Sequence, residues 1–183
     1  MKNYTLPLAL VICINCILIA CTPKPEKYFD TAILNCNTIS GFGNGQLEYE
    51  LKSPSVRLVE GTKDQTEVMK RVEVINEKIQ QIESNLADIK HLKETEDAKD
   101  ILKTSIALHE FVLPVYKNEY LQVAQLYDKG SPKEQIDSLK QSIYSKYSAT
   151  YAELFDKVTN AGKAYATKHN INVNWGIKTS PDL

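Results

Sequence analysis

The sequence predicts an all-α fold, an up-down antiparallel four-helix bundle with a short extended C-terminal tail. Three observations lead there. Apolar residues recur at alternating three- and four-residue spacing over long segments. Gly130-Ser131-Pro132 joins two of those segments by a turn so short that they must form an antiparallel hairpin. Alternation at strand period is read at Ile171, Val173, Trp175 and Ile177, beyond the helical segments.

Composition sets the outer bounds. The 183 residues, 43% hydrophobic with seven Gly and seven Pro, fit one ordinary globular domain. Lys and Arg number 22 against 23 Asp and Glu, a formal net charge of −1. That balance argues against a nucleic-acid partner, which calls for a basic face.

Residues 1–20 differ from the rest. Lys2 is their only charge, and Leu8 to Ile19 is an apolar run interrupted only by Asn15. The run is shorter than the roughly 20 residues a bilayer-spanning helix needs and suits a signal peptide. It ends Leu18-Ile19-Ala20-Cys21, followed by a polar tether over residues 21–26 in which Pro23 and Pro25 favour extended chain.

Leu18-Ile19-Ala20-Cys21 resembles the lipobox of bacterial lipoproteins. The resemblance implies removal of residues 1–20, a diacylglycerol on the Cys21 thiol and an acylated Cys21 amino group. Such acyl chains attach the protein to a membrane, each buried methylene contributing about 0.8 kcal/mol. Thr22 stands where inner-membrane retention uses Asp, so the resemblance implies the outer membrane. Cys13 and Cys16 then leave with the signal peptide, and Cys36 has no partner for an internal disulfide. We expect it to behave as a small buried hydrophobe; a reactive or intermolecular thiol is the alternative.

Residues 27–170 are expected to form the bundle. Pro25 can open a first helix carrying Tyr28, Ala32, Asn35, Ile39 and Phe42 at helical spacing. Gly41, Gly43 and Gly45 oppose it at about 1 kcal/mol each relative to Ala, so either the helix ends near Ser40 or tertiary packing carries it on to about Leu51; the continuous helix is preferred. A second helix is expected over Thr62–Lys93, with Thr62 and Gln65 as a capping box and a seam of Val68, Val72, Ile75, Ile79, Ile82, Leu86 and Ile89. A third runs from Thr95 to Lys129, kinked at Pro114. Gly130 ends it, Ser131 caps the fourth with Glu134 completing a capping box, and Pro132 takes the first position. The fourth carries Ile136, Leu139, Ile143, Tyr147, Tyr151, Leu154, Val158, Ala161 and Tyr165 and ends near His169. Residues 171–183 form the tail, with two readings: a segment folded back so that Trp175 covers an apolar end, or a strand offered to a partner.

Motifs for chemistry are lacking. A di-iron bundle needs Glu-x-x-His pairs, and the nearest approach is Asp88-x-x-His91. His91, His109 and His169 lie in separate parts of the chain, and no Gly-x-Ser-x-Gly elbow is present. We therefore expect no enzyme activity, cofactor or metal. Tyrosine is the unusual feature: ten, against four Phe and one Trp. Tyr116 and Tyr120 fall on the third helix, and Tyr144, Tyr147 and Tyr151 share a face of the fourth. Either they line a groove for a small ligand or partner, or they sit at the core boundary with wetted hydroxyls. The second is preferred.

The expectation is a lipid-anchored envelope protein with a nonenzymatic partner-binding or structural role. The alternative is a small-ligand-binding or enzymatic lipoprotein with a dry pocket lined by Tyr116, Tyr120, Tyr147 and Tyr151. The mature region resembles helical envelope lipoproteins of Gram-negative bacteria in architecture, which implies no activity.

Overall fold

The computed structural model describes residues 23–43, 45–53 and 56–175. Cys21, the segment before it and Ile177 lie outside the described residues. The chain is mostly helical, with one small antiparallel sheet.

Helix α1 spans Pro25–Ala32, with Pro25 at its first turn, where its missing N–H leaves no bond unmade. The continuous helix to Leu51 does not form. A 3-10 segment, Leu34–Ile39, tightens the chain and buries Cys36 and Ile39. Gly43 then adopts φ +67°, a left-handed conformation open to glycine, and α2 starts afresh at Gly45–Lys52. The bend is held from outside, since the Gly43 N–H donates to the Tyr120 hydroxyl at 2.9 Å.

The second helix is shorter than the apolar spacing implies. Residues 56–68 form a hairpin of β1 (Val56–Leu58) and β2 (Thr66–Val68), with Val56 opposite Val68 and Arg57 opposite Glu67. Thr62 belongs to its loop, where its hydroxyl donates to Val59 O at 2.7 Å, and Gly61 turns the chain at φ +80°. Thr62 and Gln65 thus cap no helix, and Val68 is an exposed strand residue rather than part of the seam.

Helix α3 is Arg71–His91. Glu73 reaches back to accept the Lys70 N–H at 2.8 Å. From there the expected seam holds at Ile75, Ile79, Ile82 and Ile89, which are buried, with Val72 packed against them; Leu86 is only half-buried, and Asn85 takes the inward place beside it. Asn85 adds a buried polar contact, donating to Thr38 Oγ1 at 3.1 Å and so tying α3 to the 3-10 segment.

Helix α4 covers Lys99–Val115, followed without a break by a π-helical segment, Tyr116–Tyr120, and α5, Leu121–Asp128. It starts later than the expected Thr95, which instead accepts the Ala98 N–H on its hydroxyl at 3.2 Å. Pro114 is accommodated within α4, and the irregularity begins two residues further on, as a widened turn at Tyr116–Tyr120. Asp128 closes the last turn of α5 by accepting the N–H groups of Arg71 and Val72 at 2.9 and 3.0 Å. It caps α3 from a distant point in the chain. Asp128→Ala should therefore cost about 1–2 kcal/mol, read as a lower urea midpoint at unchanged slope.

The α5–α6 turn is a Schellman motif: Gly130 has φ +64°, its N–H bonds Tyr127 O, and the Ser131 N–H bonds Leu126 O. Helix α6 is Lys133–Lys168, one residue later than expected, with Pro132 at the cap position and no side-chain capping bond. The Ser131–Glu134 box does not form. A second Schellman motif ends α6, with Asn170 at φ 54° and the Ile171 N–H on Ala166 O. Residues 171–175 then fold back without forming a strand. Trp175 meets Phe29 edge-on at 5.9 Å and passes so close to Gly162 that a Cβ there would lie 3.1 Å from it.

Ion pairs report the helix directions. Lys90 pairs with Glu110, Glu83 with Lys117 and Arg71 with Asp128, so α3 runs antiparallel to α4–α5. Lys168 with Asp97 and Tyr147 with Glu119 set α6 antiparallel to the same run. Helix α4 lies at the centre, packed on α1, α3 and α6. Among the described residues no helix is long and apolar enough to cross a membrane.

Candidate functional site

The tyrosine-rich region is the feature that most needed a structure. Tyr116 and Tyr120, four residues apart in the π segment, lie on the same inward side, with ring centroids 4.9 Å apart. Phe42, delivered by the broken first segment, stands among four rings: Tyr151 at 4.8 Å, Tyr120 at 5.6 Å, Tyr116 at 5.9 Å and Phe111 at 6.1 Å. These rings pack against one another between the third and fourth helices, with Phe111 and Tyr151 half-buried at the edge of the cluster.

The hydroxyls act inside the protein. Tyr120 receives the Gly43 N–H, Tyr151 donates to Ile39 O at 2.9 Å, and Tyr147 donates to Glu119. Burial pushes the Tyr120 phenol up to about 12 and raises Tyr116 and Tyr151 well above the ordinary value. All three remain protonated at neutral pH and serve as hydrogen-bonding groups rather than bases. Tyr147 is half-buried, with the Lys146 ammonium 4.8 Å from its ring centroid. Tyr144 is 48% exposed and joins neither ring cluster nor hydroxyl bond. Of the five tyrosines singled out, the fold gathers four and leaves Tyr144 on the surface.

A second constellation lies in the core. Cys36 is buried, as expected, and forms no disulfide among the described residues, with its thiol on Ala32 O at 3.3 Å and 3.5 Å from Ser105 Oγ. Burial pushes that thiol up to about 11, so it is no thiolate. His109, also buried, places Nδ1 2.9 Å from Ser105 O while its Nε2 has no partner among the described residues. Ser105 thus lies between a thiol and an imidazole, yet no Cys36–His109 bond forms. The group is not a nucleophile–base pair. Asp88 and His91 are both exposed at the end of α3. Among the described residues no three His, Cys, Asp or Glu side chains gather in metal-binding geometry.

Sequence reasoning missed the surface of the hairpin. Val56, Leu58 and Val68 are 60%, 59% and 63% exposed. The signal was present: Val-Arg-Leu and Thr-Glu-Val alternate on either side of Gly61. It was absorbed into an over-extended helical seam. No protein-family model matches this sequence, and no curated protein or solved structure shows significant similarity to it.

Proposed function

We propose that this is a lipid-anchored bacterial envelope protein, held in the outer membrane by acyl chains on Cys21, whose helical body binds a partner or supports the envelope without catalysing a reaction. The observation that carries it is the apolar run ending Leu18-Ile19-Ala20-Cys21, only a short polar tether ahead of Pro25, where α1 begins. That tether spans about 14 Å at full extension. It would hold the body close to the bilayer, α1 end first.

The helical arrangement is then an up-down bundle of four rods, the first broken at Gly43, with residues 25–52, 71–91, 99–128 and 133–168 as its members. The end nearest the lipid holds the start of α1, the C-termini of α3 and α6, and Trp175. The Tyr28 hydroxyl on Lys93 O at 2.7 Å and the Trp175–Phe29 contact tie these together. The β hairpin lies at the other end of α3, about 30 Å away at 1.5 Å per residue. The packed aromatic cluster supports a binding or structural role over a ligand pocket.

Mass spectrometry of the mature N-terminus tests the anchor. The expected result is a chain starting at Cys21 with diacylglycerol and an amide-linked acyl group, and a Cys21→Ser variant that leaves the membrane fraction. An unmodified Cys21 in membrane-extracted protein would overturn it.

A further inference from the structure

The β1–β2 hairpin has two distinct faces. On one, Arg57 bonds Glu67 at 2.8 Å and Glu73 of α3 at 3.0 Å, which fastens that face toward the helices. On the other, Val56, Leu58 and Val68 stand exposed. Isolated two-stranded ribbons are marginal in water, and an open apolar face of this kind is costly unless something covers it.

The ladder shows which backbone groups are directed outward. The Val59 N–H bonds Gln65 O at 2.8 Å, one step beyond the Leu58–Thr66 pair. Antiparallel ladders alternate bonded and non-bonded pairs, so Arg57–Glu67 is the next bonded pair. Val56 and Leu58 then point their N–H and C=O groups to one outer edge, and Thr66 and Val68 to the other. The same residues that bare apolar side chains therefore direct their peptide groups to the edges.

A second copy of this chain is a poor occupant. Two-fold pairing of β1 with β1 sets Arg57 against Arg57, and pairing β2 with β2 sets Glu67 against Glu67, each in the close cross-strand position. Pairing β1 with another copy's β2 satisfies the charges but displaces the copies by two strand spacings, about 9.5 Å. That is less than the roughly 20 Å width of two packed helices, so the bodies collide.

Charge decides what a foreign strand should carry. Arg57 and Lys70 both act on Glu73, and Glu67, paired with Arg57 and 49% exposed, is the carboxylate that stands on the β2 edge itself. We propose that the outer edge of β2 captures an extended strand of another protein that carries a basic residue between two apolar ones. Its basic side chain would lie beside Glu67, and its apolar pair would extend the Val56–Leu58–Val68 face. The pattern is that of β1 itself, Val-Arg-Leu. This deepens the partner-binding reading and rests on it only for where the partner is found. The edge can be tested whatever Cys21 carries, and the anchor whatever the edge binds.

The test titrates the full chain with the peptide Thr-Val-Arg-Leu-Thr and its counterpart Thr-Val-Glu-Leu-Thr while following the amides of Thr66 and Val68 by NMR. The expected result is at least tenfold slower exchange of those two amides with the Arg peptide at saturation, and at least tenfold weaker binding of the Glu peptide. Glu67→Lys should reverse the preference and Glu67→Gln should bring the two peptides toward parity, with helical circular dichroism confirming that each variant folds. No protection at millimolar peptide would overturn the proposal, as would equal binding of both peptides. Protection by phosphatidylglycerol vesicles instead of peptide would overturn it in favour of a lipid-seating face.

Discussion

Phe42→Ala is expected to destabilise the protein by about 3–5 kcal/mol, the range for removing a buried phenylalanine ring. Phe42 is 2% exposed and its four ring neighbours come from three parts of the chain: α4, the π segment and α6. The ring is where the broken first segment meets the long helices. Collapse of the cavity would soften the loss, but two neighbours are restrained at the points that flank Phe42. Tyr120 holds the Gly43 N–H, and Tyr151 donates to Ile39 O. Moving either ring inward would strand a buried polar group, at about 1–3 kcal/mol. The void should therefore persist and the loss fall in the upper half of the range. Urea unfolding reads it directly, as a lower midpoint at unchanged slope. A loss below about 1.5 kcal/mol would mean that the rings close over the gap and that the cluster is not the junction described above. Phe42→Leu, which keeps most of the volume, should cost roughly 1–2 kcal/mol by comparison.

The aromatic junction also shows what could be read from sequence and what could not. Helix α6 was legible nearly to the residue, because an uninterrupted apolar stripe and Gly130 leave little freedom. The burial of Cys36 followed from its being a cysteine left without a partner, and the packing of Trp175 was one of two readings of the tail. The break at Gly43 depended on a competition that spacing cannot weigh. Helical periodicity continues through Phe42, and the hydroxyl that stabilises the bend belongs to Tyr120, 77 residues along the chain. The start of α3 was hidden for the same reason, since Asp128 caps it from 56 to 57 residues away. Val68 and Val72 are spaced for a helix but straddle a strand end and a helix start, where periods of two and 3.6 coincide. The tyrosines were legible as a group but not in their roles. The π turn that carries Tyr116 and Tyr120 leaves no mark in residue spacing. No motif search could have found a packed ring cluster where a pocket was the alternative.

The second large effect expected is acid sensitivity originating at His109. The side chain is 0% exposed, its Nδ1 is bonded to Ser105 O, and its Nε2 faces no partner among the described residues. Burial holds its pKa below the ordinary value of 6.5, and the bond to the Ser105 carbonyl only partly opposes that shift. Above about pH 6.5 the imidazole is neutral in both folded and unfolded chains, and stability is at its full value. As pH falls below that point the unfolded chain takes up a proton that the folded protein refuses. Stability then declines at up to about 1.4 kcal/mol per pH unit until the folded pKa is passed. The half-buried carboxylates held below their ordinary range by hydrogen bonds, Glu73 by the Lys70 N–H and Glu48 and Asp137 by lysine ammonium groups, lose their contribution only below the ordinary carboxylate range, about pH 4. The window from pH 6.5 to 5 therefore belongs mainly to the imidazole. His109→Leu removes the titrating group and the unpaired nitrogen together while filling a similar volume. The variant should be at least as stable as the native chain at pH 8, and its advantage should widen steadily toward pH 5. Urea midpoints measured at half-unit intervals would show two diverging lines. Parallel lines across that window would mean that the imidazole is hydrated or charged in the folded protein, and the orphaned nitrogen would then need a buried water or carboxylate as its partner.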